Sequence, residues 1–75
     1  MPNLAIRWFE QAFETRDLNI EEKQGLQYEL ANAFEANGED EKALEHFELI
    51  YAVDVDYRDV VRRIESLREK VASLV

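Results

Sequence analysis

Residues 24–57 read QGLQYELANAFEANGEDEKALEHFELIYAVDVDY, and the architecture of the chain follows from this stretch. Apolar residues recur in it at spacings of three and four on both sides of Asn37 and Gly38, which tolerate the left-handed backbone at a helix end. Three acidic residues at 39–41 then stand where the partial positive charge of a helix N-terminus favours carboxylates. The stretch therefore predicts two helices joined by a short turn.

The same signals, followed to both ends of the chain, predict four helices at about 3–15, 20–37, 40–53 and 57–74. Asn3 and Asp56 are the predicted caps of the first and last helices. Asn19 and Glu22 form a capping box, in which each side chain bonds the backbone N–H of the other residue. Because the later connections are short, neighbouring helices should be antiparallel. We therefore predict a single all-α domain over residues 1–75.

The composition argues against several functions. The chain has 75 residues with no Cys, and 17 acidic against nine basic side chains give a net charge of −8. That charge argues against binding nucleic-acid phosphates or anionic membranes, and no apolar run approaches the roughly 20 residues that span a bilayer. With no targeting segment, we expect a cytoplasmic, bacterial protein. Six Arg against three Lys within the acidic excess also fit a high-salt cytoplasm.

An internal repeat links two of the helices. Residues 5–12 (AIRWFEQA) and 43–50 (ALEHFELI) share an Ala, an aliphatic residue, a Phe and a Glu in register. Together with the 34-residue length of 24–57, this pattern resembles the tetratricopeptide repeat, a helix–turn–helix unit of that period. The matching residues are Leu30, Ala31, Phe34, Gly38, Ala43, Phe47 and Asp54. The departures are Gln27, Asp40 and Val55, which stand where the family has a large residue, an aromatic residue and a proline.

The resemblance implies a right-handed stack of antiparallel helices, an α–α superhelix made of a half-repeat, one full repeat and a C-terminal capping helix. In a continuing array the next hairpin would pack on Val61, Ile64, Glu65 and Arg68. Two of these four are charged, which favours a capping role for the last helix. The implied function is a non-enzymatic interaction module or scaffold segment that binds a protein or peptide. The alternative is a structural cap or self-association domain of a longer array.

The family binds peptides along the first helix of each hairpin. In this chain the resemblance places that surface at Tyr28, Asn32, Glu35, Arg62, Arg63 and Ser66. An Asn beside basic residues resembles the carboxylate-binding arrangement of chaperone-docking members, although Tyr28 stands where those members carry Lys. The alternative is that Arg62 and Arg63 are only solvated.

Charge is unevenly distributed along the chain. Residues 1–57 carry 14 acidic and four basic side chains, whereas residues 58–75 carry three acidic and five basic ones. A basic partner would therefore be steered to the first three helices, and an acidic partner to the last.

Two aromatic residues and one histidine remain to be assigned. Trp8 and Phe9 are candidate interface residues, because aromatic side chains dominate binding hot spots, and they would pair two copies in a homodimer. For Trp8 the interface role is the alternative, because core packing is the first interpretation of an apolar helix face that it shares with Ala5, Phe9, Ala12 and Phe13. His46 has no carboxylate or thiolate one helical turn away, so we interpret it as a structural or surface residue. A metal protein or enzyme centred on His46 is the third hypothesis. The sequence otherwise predicts no enzyme, no metal and no cofactor.

Overall fold

The computed structural model describes residues 2–73, and within them the backbone forms helices and turns but no strand. The all-α prediction is confirmed, and the tetratricopeptide-like superhelix stays a prediction. None of the described helices is long and apolar enough to cross a membrane. The four helices are α1 (Pro2–Thr15), α2 (Ile20–Ala36), α3 (Asp40–Val53) and α4 (Val60–Ser73).

The two ends of α2 follow from the sequence signals. At its start the backbone N–H of Glu22 donates to Oδ1 of Asn19 at 2.8 Å, and the backbone N–H of Asn19 donates to Oε1 of Glu22 at 3.2 Å. This confirms the predicted capping box. At its end Gly38 adopts a φ of 79°, which glycine reaches without the steric cost of a Cβ. The chain then reverses within three residues, and α3 begins at Asp40.

The predicted start of the last helix is wrong, and so are the predicted caps of both outer helices. Helix α4 begins at Val60 rather than at 57, because Arg58 has a φ of 44°, a left-handed conformation that interrupts a helix. Asp56 is therefore not its cap, and its backbone N–H donates instead to Oδ1 of Asp54 at 3.1 Å. Asn3 lies inside α1 and so does not cap it. Residue 74, the predicted end of the last helix, lies outside the described residues.

The core lies between consecutive helices, since α1 packs on α2, α2 on α3 and α3 on α4. Ala31 and Ala43 are fully buried between α2 and α3, where small side chains let two helix backbones approach closely. Phe47 is also fully buried and meets the ring of Tyr28 edge to face, with centroids 5.6 Å apart. The other buried members of the core are Ile6, Leu30, Phe34, Ile50, Val60, Ile64 and Leu67.

Helix α1 presents a different face to the core from the one that includes Trp8. Ile6 and Ala12 are buried and Phe9 packs on the core cluster, whereas Trp8 is 60% exposed. The first interpretation of Trp8, core packing, is therefore wrong. Its ring contacts Phe9 edge to face, with centroids 5.3 Å apart, and otherwise faces the surface.

Candidate functional site

Three of the six predicted peptide-binding residues come together and bond to one another. The guanidinium of Arg63 on α4 donates to Oε1 of Glu35 on α2 at 2.6 Å, and it lies 3.4 Å from the hydroxyl oxygen of Tyr28. The same guanidinium lies 4.8 Å from the centroid of the Phe47 ring. Arg63 is thus neither free nor merely solvated, because its side chain forms a half-buried ion pair over the core.

Asp59 extends this cluster to the beginning of α4. The hydroxyl of Tyr28 donates to Oδ1 of Asp59 at 2.5 Å, and Arg62 donates to the other carboxylate oxygen at 3.1 Å. Arg58 lies 4.8 Å from the centroid of the Tyr28 ring, which stabilises this residue despite its left-handed backbone. Tyr28 is only 9% exposed, so it belongs to the core and holds the connection between α3 and α4.

The pKa shifts of the groups in this cluster agree with a structural role for its ion pairs. Burial opposes the ionisation of Glu35, but hydrogen bonds from Arg63 and Lys70 outweigh it and lower the pKa of this carboxyl. The hydrogen bond from Tyr28, together with Arg62, lowers the pKa of Asp59. Burial and the bond to Asp59 raise the pKa of Tyr28. At neutral pH the carboxylates are therefore charged and the phenol is protonated, so these groups hold the structure rather than exchange protons.

The six predicted peptide-binding residues lie on α2 and α4, and we call them the α2–α4 surface. The three of them outside the cluster remain accessible. Asn32 is half-buried, and Arg62 and Ser66 are exposed. Arg62 is bonded to Asp59, although its own side chain keeps 79% of its surface open to solvent. Asn32, Arg62 and Ser66 are thus more accessible than Tyr28, which belongs to the core.

A second surface, which sequence reasoning missed, is a groove between α1 and α3. Both helices pack on α2 but, within the described residues, not on each other, so α2 forms the floor. One section of this α1–α3 groove encloses about 320 Å³ and continues past Phe13 and Gln27 into a second section of about 240 Å³. The first section is lined by Phe13, Ile20, Lys23, Gln24, Gln27, Leu49, Ile50 and Val53, and the second by Glu10, Phe13, Glu14, Gln27, Leu30 and His46.

The first section of the α1–α3 groove exposes large apolar side chains. Ile20 is 62% exposed, Leu49 is 53% exposed and Val53 is 61% exposed. A signal for them exists in the sequence, because Leu49 and Val53 are four residues apart on α3 but outside its buried stripe. Ile20 is the first residue of α2, and the sequence pattern does not indicate that it is exposed. The sequence does not say that α2 and α3 bring these three residues together in one groove.

His46 lies in the second section, where its ring packs against α2. Its ring stacks on Phe34 with centroids 5.2 Å apart, and its Nδ1 lies 3.2 Å from Nε2 of Gln27. Burial lowers the pKa of His46, while the carboxylates of Glu45 and Glu10 act in the opposite direction. In the described part of the chain no group of three or more His, Asp or Glu side chains could hold a metal ion.

A third surface lies between α3 and α4. The four residues on which a further hairpin was predicted to pack all line this groove of about 290 Å³, with Glu48 and Tyr51 opposite them. Arg68 donates to Oε2 of Glu48 at 2.8 Å, so an ion pair spans the groove. Ile64 is buried at its base, whereas Val61 is 44% exposed.

Comparison of the chain with models of known protein families, with curated proteins and with solved structures found no match. The similarity to the tetratricopeptide repeat thus rests on the residues of this chain alone.

Proposed function

We propose that this chain is a non-enzymatic module that binds a segment of another protein. The observation that carries the proposal is the convergence of exposed Ile20, Leu49 and Val53 in the concave α1–α3 groove. Exposed apolar side chains gathered in a groove are typical of surfaces that dock a peptide or a helix. The carboxylates Glu35 and Asp59, whose pKa values are lowered, form ion pairs with Arg63 and Arg62, which supports a role without catalysis.

We further propose a tetratricopeptide-like arrangement of the helices in a cytoplasmic protein. The α2–α3 hairpin supports this arrangement, because it has a left-handed Gly38 in its turn and buried Ala31 and Ala43 between its helices. In this arrangement the accessible Asn32 and Arg62 offer a second contact surface beside the α1–α3 groove.

Quantitative affinity purification tests the proposed function. The wild-type chain, immobilised in lysate of its source cells, should enrich a partner protein that Leu49→Asp enriches much less. The matched control is Val61→Asp, which places the same charge at a similarly exposed position of the α3–α4 groove and should retain the partner. Asn32→Ala combined with Arg62→Ala tests the α2–α4 surface in the same way. If the wild type enriches no protein over the bare support, the proposed function is wrong.

A second candidate function is self-association or capping through the outer side of α1. Leu4 and Trp8, four residues apart on one side of the helix, are each 60% exposed. Sedimentation velocity over a range of concentrations should then show a dimer of the wild-type chain. The Trp8→Gln variant should be monomeric, whereas the Leu49→Gln variant should still dimerise. A monomer at every concentration would exclude this homodimer.

A further inference from the structure

The α1–α3 groove separates apolar and acidic character along its length. Its first section exposes Ile20, Leu49 and Val53. In the second section Glu10 and Glu14 stand one helical turn apart on α1, and both are exposed. Among the described side chains no cation pairs with either of them, in contrast to Glu29, Glu35, Glu39 and Glu48. The groove therefore has one end that favours apolar side chains and one end that favours positive charge.

The distance between the apolar end and the acidic end of the groove determines how the side chains of a bound helix must be spaced. On α3 the groove runs from His46 to Val53, which is seven residues, or about 10 Å at 1.5 Å per residue. A helix that lies along it has apolar side chains at one turn and a basic side chain about two turns further. Its long basic side chain reaches the carboxylates of Glu10 and Glu14 while its stem packs on Phe13.

We propose that the α1–α3 groove binds a basic amphipathic helix of a partner protein. The apolar residues of that helix bury Leu49, Val53 and Ile20, and its Lys or Arg side chains pair with Glu10 and Glu14. This inference rests on the proposed function and adds the chemistry of the partner to it.

A second copy of this chain does not fit the same groove. Of its 17 acidic residues, 14 lie in residues 1–57, so two copies repel each other at this surface. The basic side chains Arg62, Arg68 and Lys70 of α4 also each have a carboxylate partner within their own chain, namely Asp59, Glu48 and Glu35. Charge complementarity therefore favours a different, basic protein.

Two designed peptides of about 18 residues, long enough to form helix in water, serve as probes. The first has a Leu stripe with Lys on its flanks, and the second replaces every Lys with Glu. Fluorescence anisotropy at low ionic strength should show binding of the Lys peptide and at least about tenfold weaker binding of the Glu peptide. Amide shifts in an NMR titration should cluster on Phe13, Gln27, Leu49 and Val53.

Matched variants localise the binding. Leu49→Gln with Val53→Asn should weaken binding of the Lys peptide at least about tenfold, whereas Val61→Asn should change it less than about twofold. Glu10→Gln with Glu14→Gln should weaken it about threefold to tenfold and reduce its salt dependence. Glu65→Gln with Glu69→Gln removes the same charge from α4 and is the control. Melting curves by circular dichroism show that each variant folds.

Several outcomes would overturn the inference. These are equal binding of the two peptides, equal loss in the groove and control variants, or amide shifts on α4. Self-association abolished by Leu49→Gln would assign the groove to a second copy instead. Shifts confined to Asn32, Arg62 and Ser66 would overturn the groove assignment but leave the proposed function standing, because affinity purification tests the latter independently.

Discussion

Arg63 joins parts of the molecule that the helix backbones leave apart. It lies on α4, yet its guanidinium pairs with Glu35 on α2 and packs over the ring of Phe47 on α3. The side chains of this ion pair are each less than a quarter exposed, so solvent screens them little. Arg62, the next residue, has the same chemistry but a largely exposed side chain. Arg63 is therefore a structural residue, whereas its neighbour Arg62 is a surface residue.

Replacing Arg63 should destabilise the fold far more than replacing Arg62. Arg63→Ala leaves the half-buried Glu35 without its closest cation, which should cost about 2 kcal/mol of the free energy of unfolding. Arg62→Ala removes an exposed pair with Asp59 and should cost about 0.5 kcal/mol or less. Urea denaturation followed by circular dichroism measures both. Equal losses in the two variants would show that the ion pair with Glu35 adds no stability.

The effect of Glu35 on stability should depend on pH. Its pKa lies below the ordinary value of 4.5, so its charged form stabilises the fold above that pH, and the gain is lost as pH falls through the lower value. The free-energy difference between wild type and Glu35→Gln should thus be full at neutral pH and shrink between about pH 5 and pH 3. Glu69→Gln, at an exposed position outside the cluster, controls for the loss of one charge. A difference for Glu35→Gln that is constant over this range would contradict the prediction.

At the scale of the helices, local signals determined what could be predicted. The Asn19 capping box and the Asn37–Gly38 turn act within a few residues, and α2 and α3 begin where those signals place them. The start of α4 was missed because the left-handed Arg58 is stabilised by Tyr28, thirty residues away, and by Tyr57. A contact between distant residues leaves no mark on the local pattern.

The two glycines should respond in opposite directions to the same substitution. Gly38→Ala forces a Cβ into a left-handed conformation and should destabilise the protein by about 1 kcal/mol. Gly25 lies inside α2, and a Cβ there meets only the hydroxyl oxygen of Tyr57 at 3.9 Å. Gly25→Ala should therefore stabilise the protein by about 0.5–1 kcal/mol through helix propensity. Thermal denaturation of both variants gives the two signs, and a stabilising Gly38→Ala would contradict the turn geometry.

At the scale of the whole molecule, the order of the helices determines which surfaces exist. The sequence predicted Tyr28, Glu35 and Arg63 for one surface, and the structure does bring them together. The sequence could not show that they bond to one another, because Glu35 and Arg63 are 28 residues apart and opposite charges on two helices are equally consistent with a solvated surface. The α1–α3 groove was also beyond sequence reasoning, since it exists only because α1 and α3 both pack on α2 without packing on each other in the described residues.

The way in which the helices pack on one another also predicts that α1 is the least stable helix. As far as residues 3–73 show, it packs on α2 alone and buries the side chains of Ile6 and Ala12. Within residues 3–73 no side-chain hydrogen bond or ion pair joins α1 to another helix. Helix α3, in contrast, packs on both neighbours and buries Phe47 completely.

Hydrogen exchange in the native state measures this difference. Amides in the middle of α1 should exchange at least about tenfold faster than those around Phe47, through a local opening with little dependence on urea. Equal protection of α1 and α3 would show that the four helices open as one unit. Because α1 is one wall of the α1–α3 groove, a bound basic peptide should slow exchange in α1 more than in α4. If the peptide slows exchange in α4 instead, then α1, the helix expected to open most readily, is not part of the binding surface.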